Sequence, residues 1–213
     1  MKQMKSHYLL LLMVWLSITM SAQENGTDAV VALPNMNVLY AGISNPVQIA
    51  VPGVTSDKVT ATITNGSISK STNGWEIKPS TTTGPVTLTV LVNNKKVSEK
   101  TFRVKTIPVP HAVIAGKGNG TVSKNEVIKS GTIETELKDF LWDLKFEIKS
   151  FSFLYSKNGS NQEISNTGNK LTEEMKSLIS SSQSGQNIIF KDIKAIAPDN
   201  TIHDISPLIL TIN

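Results

Sequence analysis

The chain has 213 residues, none of them cysteine, and a formal net charge of +4 at pH 7. Without cysteine, disulfide-stapled scaffolds and thiolate metal sites are excluded, so the fold must be held by its hydrophobic cores alone. No block of Lys and Arg marks a nucleic-acid-binding surface. This length fits one large or two small domains.

The chain is predicted to be exported, because residues 1–22 have the plan of a secretory signal peptide. Lys2 and Lys5 precede an apolar run at 9–18, and small residues before and at Ala22 offer a cleavage point. The run is shorter than the about 20 apolar residues of a membrane span, and an uncleaved anchor is the alternative. Removal of this segment lowers the formal charge from +4 to +2, so the high pI of the sequence does not by itself indicate a nucleic-acid partner.

Residues 23–34 are expected to be a flexible leader that orders from Val30 onward, and residues 35–107 are expected to fold as a β-sandwich. Several short runs in this region alternate apolar and polar residues, as half-buried strands do. Thr fills many of the outward positions, where a β-branched side chain suits the pleated sheet. The alternating runs are 47–51, 59–63 and 86–92.

Turn residues separate these runs. Asn65-Gly66 and Asn93-Asn94 each predict a tight hairpin, because Asn and Gly accept positive φ. Trp75 follows a further predicted turn and is expected to fill the core of the sandwich, as aromatic residues commonly do. A solvent-facing Trp75 in a sugar-binding site is the alternative interpretation.

A stiff connection is predicted at Ile107-Pro108-Val109-Pro110, directly after the last strand of the first domain at 102–106. Prolines at alternate positions hold the chain extended. The domain boundary is placed there, so residues 108–213 are expected to form a second domain.

The second domain is predicted to be β-rich with one helix. Leu144, Phe146 and Ile148 share one strand face, but the apolar parity changes after Ser150, which predicts a β-bulge at 149–151. Thr172 is a suitable N-cap for the helix. Its apolar stripe comprises Leu171, Met175, Leu178 and Ile179. Further strands are predicted at 188–197 and 208–212.

No catalytic, metal-binding or cofactor-binding residue is predicted. The glycine-rich loop 116–121 lacks the GxxxxGK[ST] spacing of a phosphate-binding loop and fits a hairpin turn better. His111 and His203 are far apart in sequence, with neither an HExxH motif nor an acidic calcium loop. No Gly-x-Ser-x-Gly elbow of a serine hydrolase is present.

Four stretches resemble one family of proteins. Leu39-Tyr40-Ala41-Gly42-Ile43-Ser44-Asn45-Pro46, followed by Val-Pro-Gly-Val at 51–54, is similar to the third domain of the GldM/PorM family, periplasmic proteins of gliding motility and type IX secretion. The stretch 102–110 is similar to the junction between the family's last two domains. Those at 143–146 and 192–199 are similar to parts of its last domain.

The resemblance implies a mainly β chain with two consecutive β-sandwich domains of immunoglobulin-like type and a periplasmic location. It implies contacts with periplasmic and outer-membrane lipoprotein ring components of the secretion apparatus. It also implies a homodimer, since GldM itself looks like an elongated dimer along its periplasmic length. Independently, Thr-rich strands such as 85–92 are expected to leave open sheet edges that accept a second chain. The family's transmembrane helix and membrane-proximal domains are expected to be absent, so motor activity is not implied.

Two functional hypotheses follow. The first is an exported, non-enzymatic protein–protein interaction component of the type IX secretion or gliding motility apparatus. The alternative is a free-standing immunoglobulin-like module that binds surface glycan or protein, with Trp75 and Trp142 as its candidate contacts. Neither hypothesis requires a cofactor, and no partner-contacting residue can be transferred from the family.

Overall fold

The structure, a computed structural model, describes residues 29–32, 37–80, 84–140, 142–157 and 159–213. The predicted signal peptide and most of the predicted leader lie outside these residues. Within the leader, the first strand begins at Val30, the position from which order was expected.

The first domain contains eight strands among its described residues. They are β1 (Val30–Ala32), β2 (Val38–Tyr40), β3 (Asn45–Ala50), β4 (Val59–Ile63), β5 (Ser67–Ser71), β6 (Gly74–Lys78), β7 (Pro85–Val92) and β8 (Lys95–Lys105).

These strands form two four-stranded sheets that enclose a core of apolar side chains. One sheet has the order β1-β3-β6-β5 and the other the order β2-β8-β7-β4. Only β2 and β8 pair in parallel among them. The order matches the two sheets of an immunoglobulin constant-type domain, with β2 added beside the last strand. The predicted immunoglobulin-like sandwich is therefore confirmed.

Two of the predicted turns have different outcomes. Asn93 and Asn94 have φ values of 50° and 62° and join the hairpin β7–β8, as predicted. The predicted hairpin at Asn65-Gly66 is wrong, because β4 pairs with β7 and β5 pairs with β6, so the turn carries the chain from one sheet to the other. Gly66 is required there: its φ is 110°, and an added β-carbon would collide with the Lys78 carbonyl oxygen.

The second domain contains eight further strands and two helices among its described residues. The strands are β9 (His111–Ile114), β10 (Gly120–Val122), β11 (Ile133–Glu136), β12 (Glu147–Lys157), β13 (Ser160–Thr167), β14 (Asn187–Ile196), β15 (Ile202–Ile205) and β16 (Leu208–Ile212). The helices are α1 (Lys124–Ser130) and α2 (Glu173–Ser180).

A six-stranded sheet organises this domain. Its order is β10-β16-β14-β12-β13, with β15 also paired to β14, while β9 and β11 form a separate two-stranded sheet. The pairing of β12 with β14 shifts register between Ile148 and Ser150 and again before Ser152. The predicted bulge is confirmed, and it lets Phe146 and Phe151 both enter the core despite their opposite parity.

The expectation of a single helix is wrong, although the predicted helix itself is confirmed. Thr172 accepts a hydrogen bond from the Met175 N–H over 3.2 Å and caps α2. The additional helix, α1, follows Ser123, whose backbone N–H donates to the Glu126 carboxylate. The Lys117 ammonium and this N–H hold the pKa of Glu126 below its usual range. The spacing Ser-x-x-Glu is a helix-start signal that sequence reading overlooked.

Candidate functional site

The stretch 39–45 contributes side chains to two cores. Leu39 and Ala41 are buried in the core of the first domain. Ile43 is buried in the core of the second domain, and Tyr40 packs against that same core from the other face of β2. Since a strand directs successive side chains to opposite faces, one short segment joins the two domains.

Asn45 fixes the shape of this segment from inside the protein. Its side chain is fully buried. The Oδ1 atom accepts from the Tyr40 N–H over 2.7 Å, and Nδ2 donates to the carbonyl oxygens of Tyr40, Ile43 and Ile77 at 2.9, 2.9 and 3.2 Å. A buried amide with these partners holds the turn 41–44 closed and sets the direction of the Tyr40 ring.

Tyr40 meets two aromatic residues of the second domain. The Tyr40 ring centroid lies 4.9 Å from that of Phe140 and 4.8 Å from that of Trp142, and the two partners are 5.6 Å apart. All three contacts are edge-to-face, an arrangement favoured by the ring quadrupoles. We call this group (Tyr40, Phe140 and Trp142) the aromatic junction.

Phe140 and Trp142 precede β12, and apolar and charged residues alternate over 142–148. The apolar side chains of this segment are buried or partly buried, and the charged ones are exposed. This alternation confirms the predicted shared face of Leu144, Phe146 and Ile148. However, β12 begins only at Glu147, so residues 143–146 belong to no strand, and the Leu144 N–H donates to the Trp142 carbonyl oxygen over 3.0 Å in a tight turn at Asp143.

A groove lies beside this segment, at the point where β13 leaves β12. The Gly168 N–H donates to the Lys149 carbonyl oxygen over 2.7 Å, after which the chain crosses to β11. There the Ile133 N–H donates to the Asn169 carbonyl oxygen over 2.8 Å. Between β11, the start of β12 and the crossing chain lies a cavity of about 580 Å³, lined by residues 133–135, 143–148 and 168–169. We call it the second-domain groove.

The two aromatic residues considered for sugar binding do not form an open platform. Trp75 is only 9% exposed and lies in the first core, with the Lys70 ammonium 5.1 Å from its ring centroid. This burial confirms the core interpretation of Trp75. Trp142 is partly buried in the aromatic junction.

The glycine-rich loop and His203 make structural contacts, while His111 lies exposed at the start of β9. The loop 116–121 begins as a tight turn, since Ile114 and Lys117 exchange backbone hydrogen bonds of 3.0 and 2.9 Å. The His203 Nε2 lies 2.8 Å from the Thr201 hydroxyl oxygen, and its ring packs edge-on against Phe146. In the described part of the chain, no group of three or more His, Cys, Asp or Glu residues is placed to hold a metal ion.

Family comparison accounts for both domains. The model of the GldM third domain matches residues 28–105, and that of the GldM C-terminal domain matches residues 108–213. The chain belongs to the GldM family. The resemblance found at 39–54, 102–110, 143–146 and 192–199 is thereby confirmed.

Comparison with solved structures adds little to this assignment. The Yersinia pseudotuberculosis adhesin InvE matches at 14% identity and a TM-score of 0.29, covering 88% of this chain and 59% of its own. Domains 6–7 of the surface layer protein SbsC match at 11% identity and a TM-score of 0.27, covering 87% of this chain and 98% of their own. Likeness at these TM-scores supports no inference about this chain. No curated protein matches it in sequence.

Among the described residues, neither α1 nor α2 has the length and apolar character needed to cross a bilayer.

Proposed function

We propose that this GldM-family protein is an exported, non-enzymatic protein–protein interaction component of the type IX secretion and gliding motility apparatus. The observation that carries the proposal is the match to two GldM domains in sequence order, at 28–105 and 108–213. In this proposal the protein works as a rigid adaptor, and its partners are periplasmic and outer-membrane lipoprotein ring components.

The structure supports an adaptor role through the way its domains are joined. Tyr40 and Ile43 of the first domain pack against the second core, so the two sandwiches present their surfaces in a fixed relation. The polar side chains inside the described domains serve the fold: Asn45 closes a turn, and the buried Ser182 hydroxyl donates to the Leu178 carbonyl oxygen. Two rigidly joined β-domains can bind partner proteins through their surface loops and through the exposed edges of their sheets.

Affinity capture from the cells that make the protein tests this proposal. Tagged protein, cross-linked in place and purified under denaturing conditions, is expected to recover ring lipoproteins of the secretion apparatus. A tag-only bait is the control for background. Recovery of glycan without any such lipoprotein would contradict the proposal and favour the glycan-binding alternative.

We also propose a periplasmic location after removal of residues 1–22. Intact-mass measurement on periplasmic protein is expected to show a chain that begins at or near Gln23, because the apolar run is suited to export and too short to span. The matched control carries Leu10→Arg and Leu12→Arg, which place charges in that run and should leave the chain uncleaved. A wild-type mass that retains residues 1–22, found in the membrane fraction, would contradict the proposal.

The protein is further proposed to form a homodimer through sheet edges. The edge expected at strand β7 is wrong, since β7 pairs with β4 on one side and β8 on the other. The outer strands of the described sheets include β4, β5 and β13, and β13 is a polar edge of eight residues. An unpaired edge accepts another chain, and two-fold pairing is the commonest closed arrangement.

Light scattering over a concentration series is expected to show a mass twice that of the monomer at the higher concentrations. A useful variant is Gln162→Pro in β13, because proline cannot donate to a strand ladder, and it should lower the dimer fraction if this edge is used. Ser69→Pro in β5 tests the other polar edge in the same way. A monomer mass that persists at the highest soluble concentration would rule out the dimer.

A further inference from the structure

We propose that the second-domain groove binds an extended, basic peptide segment of a partner protein, which adds as a strand to the free edge of β11. This inference deepens the proposed function, on which it rests, because it assigns one contact surface and the kind of segment that occupies it. The groove offers an unpaired backbone, an apolar floor and a net acidic rim.

The unpaired backbone is found at Thr135. Successive residues of an antiparallel strand direct their N–H and C=O groups to opposite sides. The Ile133 N–H points away from β9, to the Asn169 carbonyl oxygen, so the backbone groups of Thr135 point to the same side. Among the described residues, no strand pairs with that side of Thr135. Such an edge is a template for an incoming strand.

The opposite wall of the groove is also free of a ladder partner. β13 pairs with β12 as far as Thr167, opposite Ser150, and then leaves toward β11. Beyond this crossing, no described strand pairs with the side of Glu147 that β13 would have covered. An added strand would therefore occupy the place that β13 vacates, between β11 and residues 143–148.

The floor and size of the groove suit a short peptide. Leu144 is partly buried, Phe146 and Ile148 keep 8% and 5% exposure, and these three side chains supply the apolar surface for a side chain of the ligand. The cavity volume of about 580 Å³ lies within the range of about 300–1,000 Å³ typical of ligand sites. Alternate residues of a bound strand would face this floor, and the others would face the rim.

Charge on the rim selects a basic segment. Glu134, Asp143, Lys145 and Glu147 are all exposed around the groove. Glu147 pairs with Lys149 at 2.5 Å, whereas no ion pair of Glu134 or Asp143 occurs in the described part of the chain. Two uncompensated carboxylates against one ammonium leave a negative field, which favours Lys or Arg in the ligand.

The test uses ¹⁵N-labelled protein and a capped seven-residue peptide of alternating lysine and valine. We expect saturable shifts of backbone resonances at residues 133–136 and 143–148. A peptide with glutamate in place of lysine should bind at least tenfold more weakly, because the rim repels it. A lysine peptide N-methylated at alternate residues should also lose at least tenfold, since methylation removes the strand-forming N–H groups.

Variants of the rim separate charge from folding. The double change Glu134→Lys and Asp143→Lys should weaken the lysine peptide about tenfold, while Lys145→Glu should strengthen it. Both variants alter exposed side chains, and resonance dispersion outside the groove reports whether each is folded. Glu99→Lys in β8, a charge reversal on the other domain, should leave the affinity unchanged.

Several outcomes would overturn the inference. They are shifts outside the groove, equal binding of the N-methylated peptide, or no saturable binding of the lysine peptide. Each would remove the groove as a peptide site without affecting the capture of ring lipoproteins, which tests the proposed function separately. Conversely, peptide binding by a protein that captures no such lipoprotein would support the groove and contradict the proposed function.

Discussion

Trp75→Ala is expected to lower the free energy of unfolding of the first domain by about 3–5 kcal/mol, the usual cost of removing a large buried aromatic side chain. Trp75 lies on β6 at 9% exposure among the buried side chains of the first core. Ala would leave a cavity lined by residues of both sheets, which the close-packed sandwich could refill only in part. Denaturant unfolding followed by circular dichroism measures the change.

Lys70→Met is the matched control for this prediction. Lys70 is exposed and lies opposite Trp75 in the register of β5 and β6. Its ammonium lies 5.1 Å from the Trp75 ring centroid and donates to the Ser56 carbonyl oxygen over 2.7 Å. Met keeps the apolar stem and removes the charge together with one exposed hydrogen bond, so stability should fall by less than about 1 kcal/mol. Near-wild-type stability of Trp75→Ala, combined with lost glycan binding, would favour the sugar-site alternative.

Asn45→Leu is expected to cost about 3 kcal/mol or more. Leu fills a similar volume but leaves the buried Tyr40 N–H and three carbonyl groups without their side-chain partner. Each unsatisfied buried polar group costs about 1–3 kcal/mol. Asn161→Leu, at an exposed position of β13, should change stability by less than about 0.5 kcal/mol and controls for the substitution itself.

Asn45→Asp gives this prediction a pH dependence. An Asp carboxylate would face three carbonyl oxygens in a buried site, so the folded-state pKa of the introduced group should rise above its unfolded value of about 3.9. A raised pKa makes folding favour the protonated form, so stability is greatest below about pH 4 and falls as pH rises through the folded pKa. The deficit relative to wild type should therefore narrow in acid. A constant deficit from pH 3 to 7 would contradict the hydrogen-bonding role.

Local patterns were enough to predict much of the fold. The alternation at 86–92, the parity change near Ser150 and the N-cap at Thr172 each have a local physical cause, and all three were found where predicted. The turn at Asn65-Gly66 was misread, because φ preference identifies a turn but not the sheet to which the next strand pairs. Strand pairing is a long-range property that no short window contains.

The candidate site was less predictable from sequence than the fold. Ile43 and Tyr40 read as ordinary strand residues, yet they pack on the second core because the domain interface is set by tertiary packing. The second-domain groove also depends on an absence of pairing, at the point where Gly168 and Asn169 change partners. Its only local sign was the alternation of charged and apolar residues at 143–148, which is typical of any half-buried strand.

The shared segment at 39–45 has a mechanical consequence. A pair of domains joined by one peptide linker can swivel about it, but here the chain holds the domains together at two places separated in sequence: the connection at Ile107 and the inserted Tyr40 and Ile43. Bending the pair would have to pull both side chains out of the second core. Under mechanical load, the two domains should therefore move together as one rigid unit and should not rotate independently about the linker.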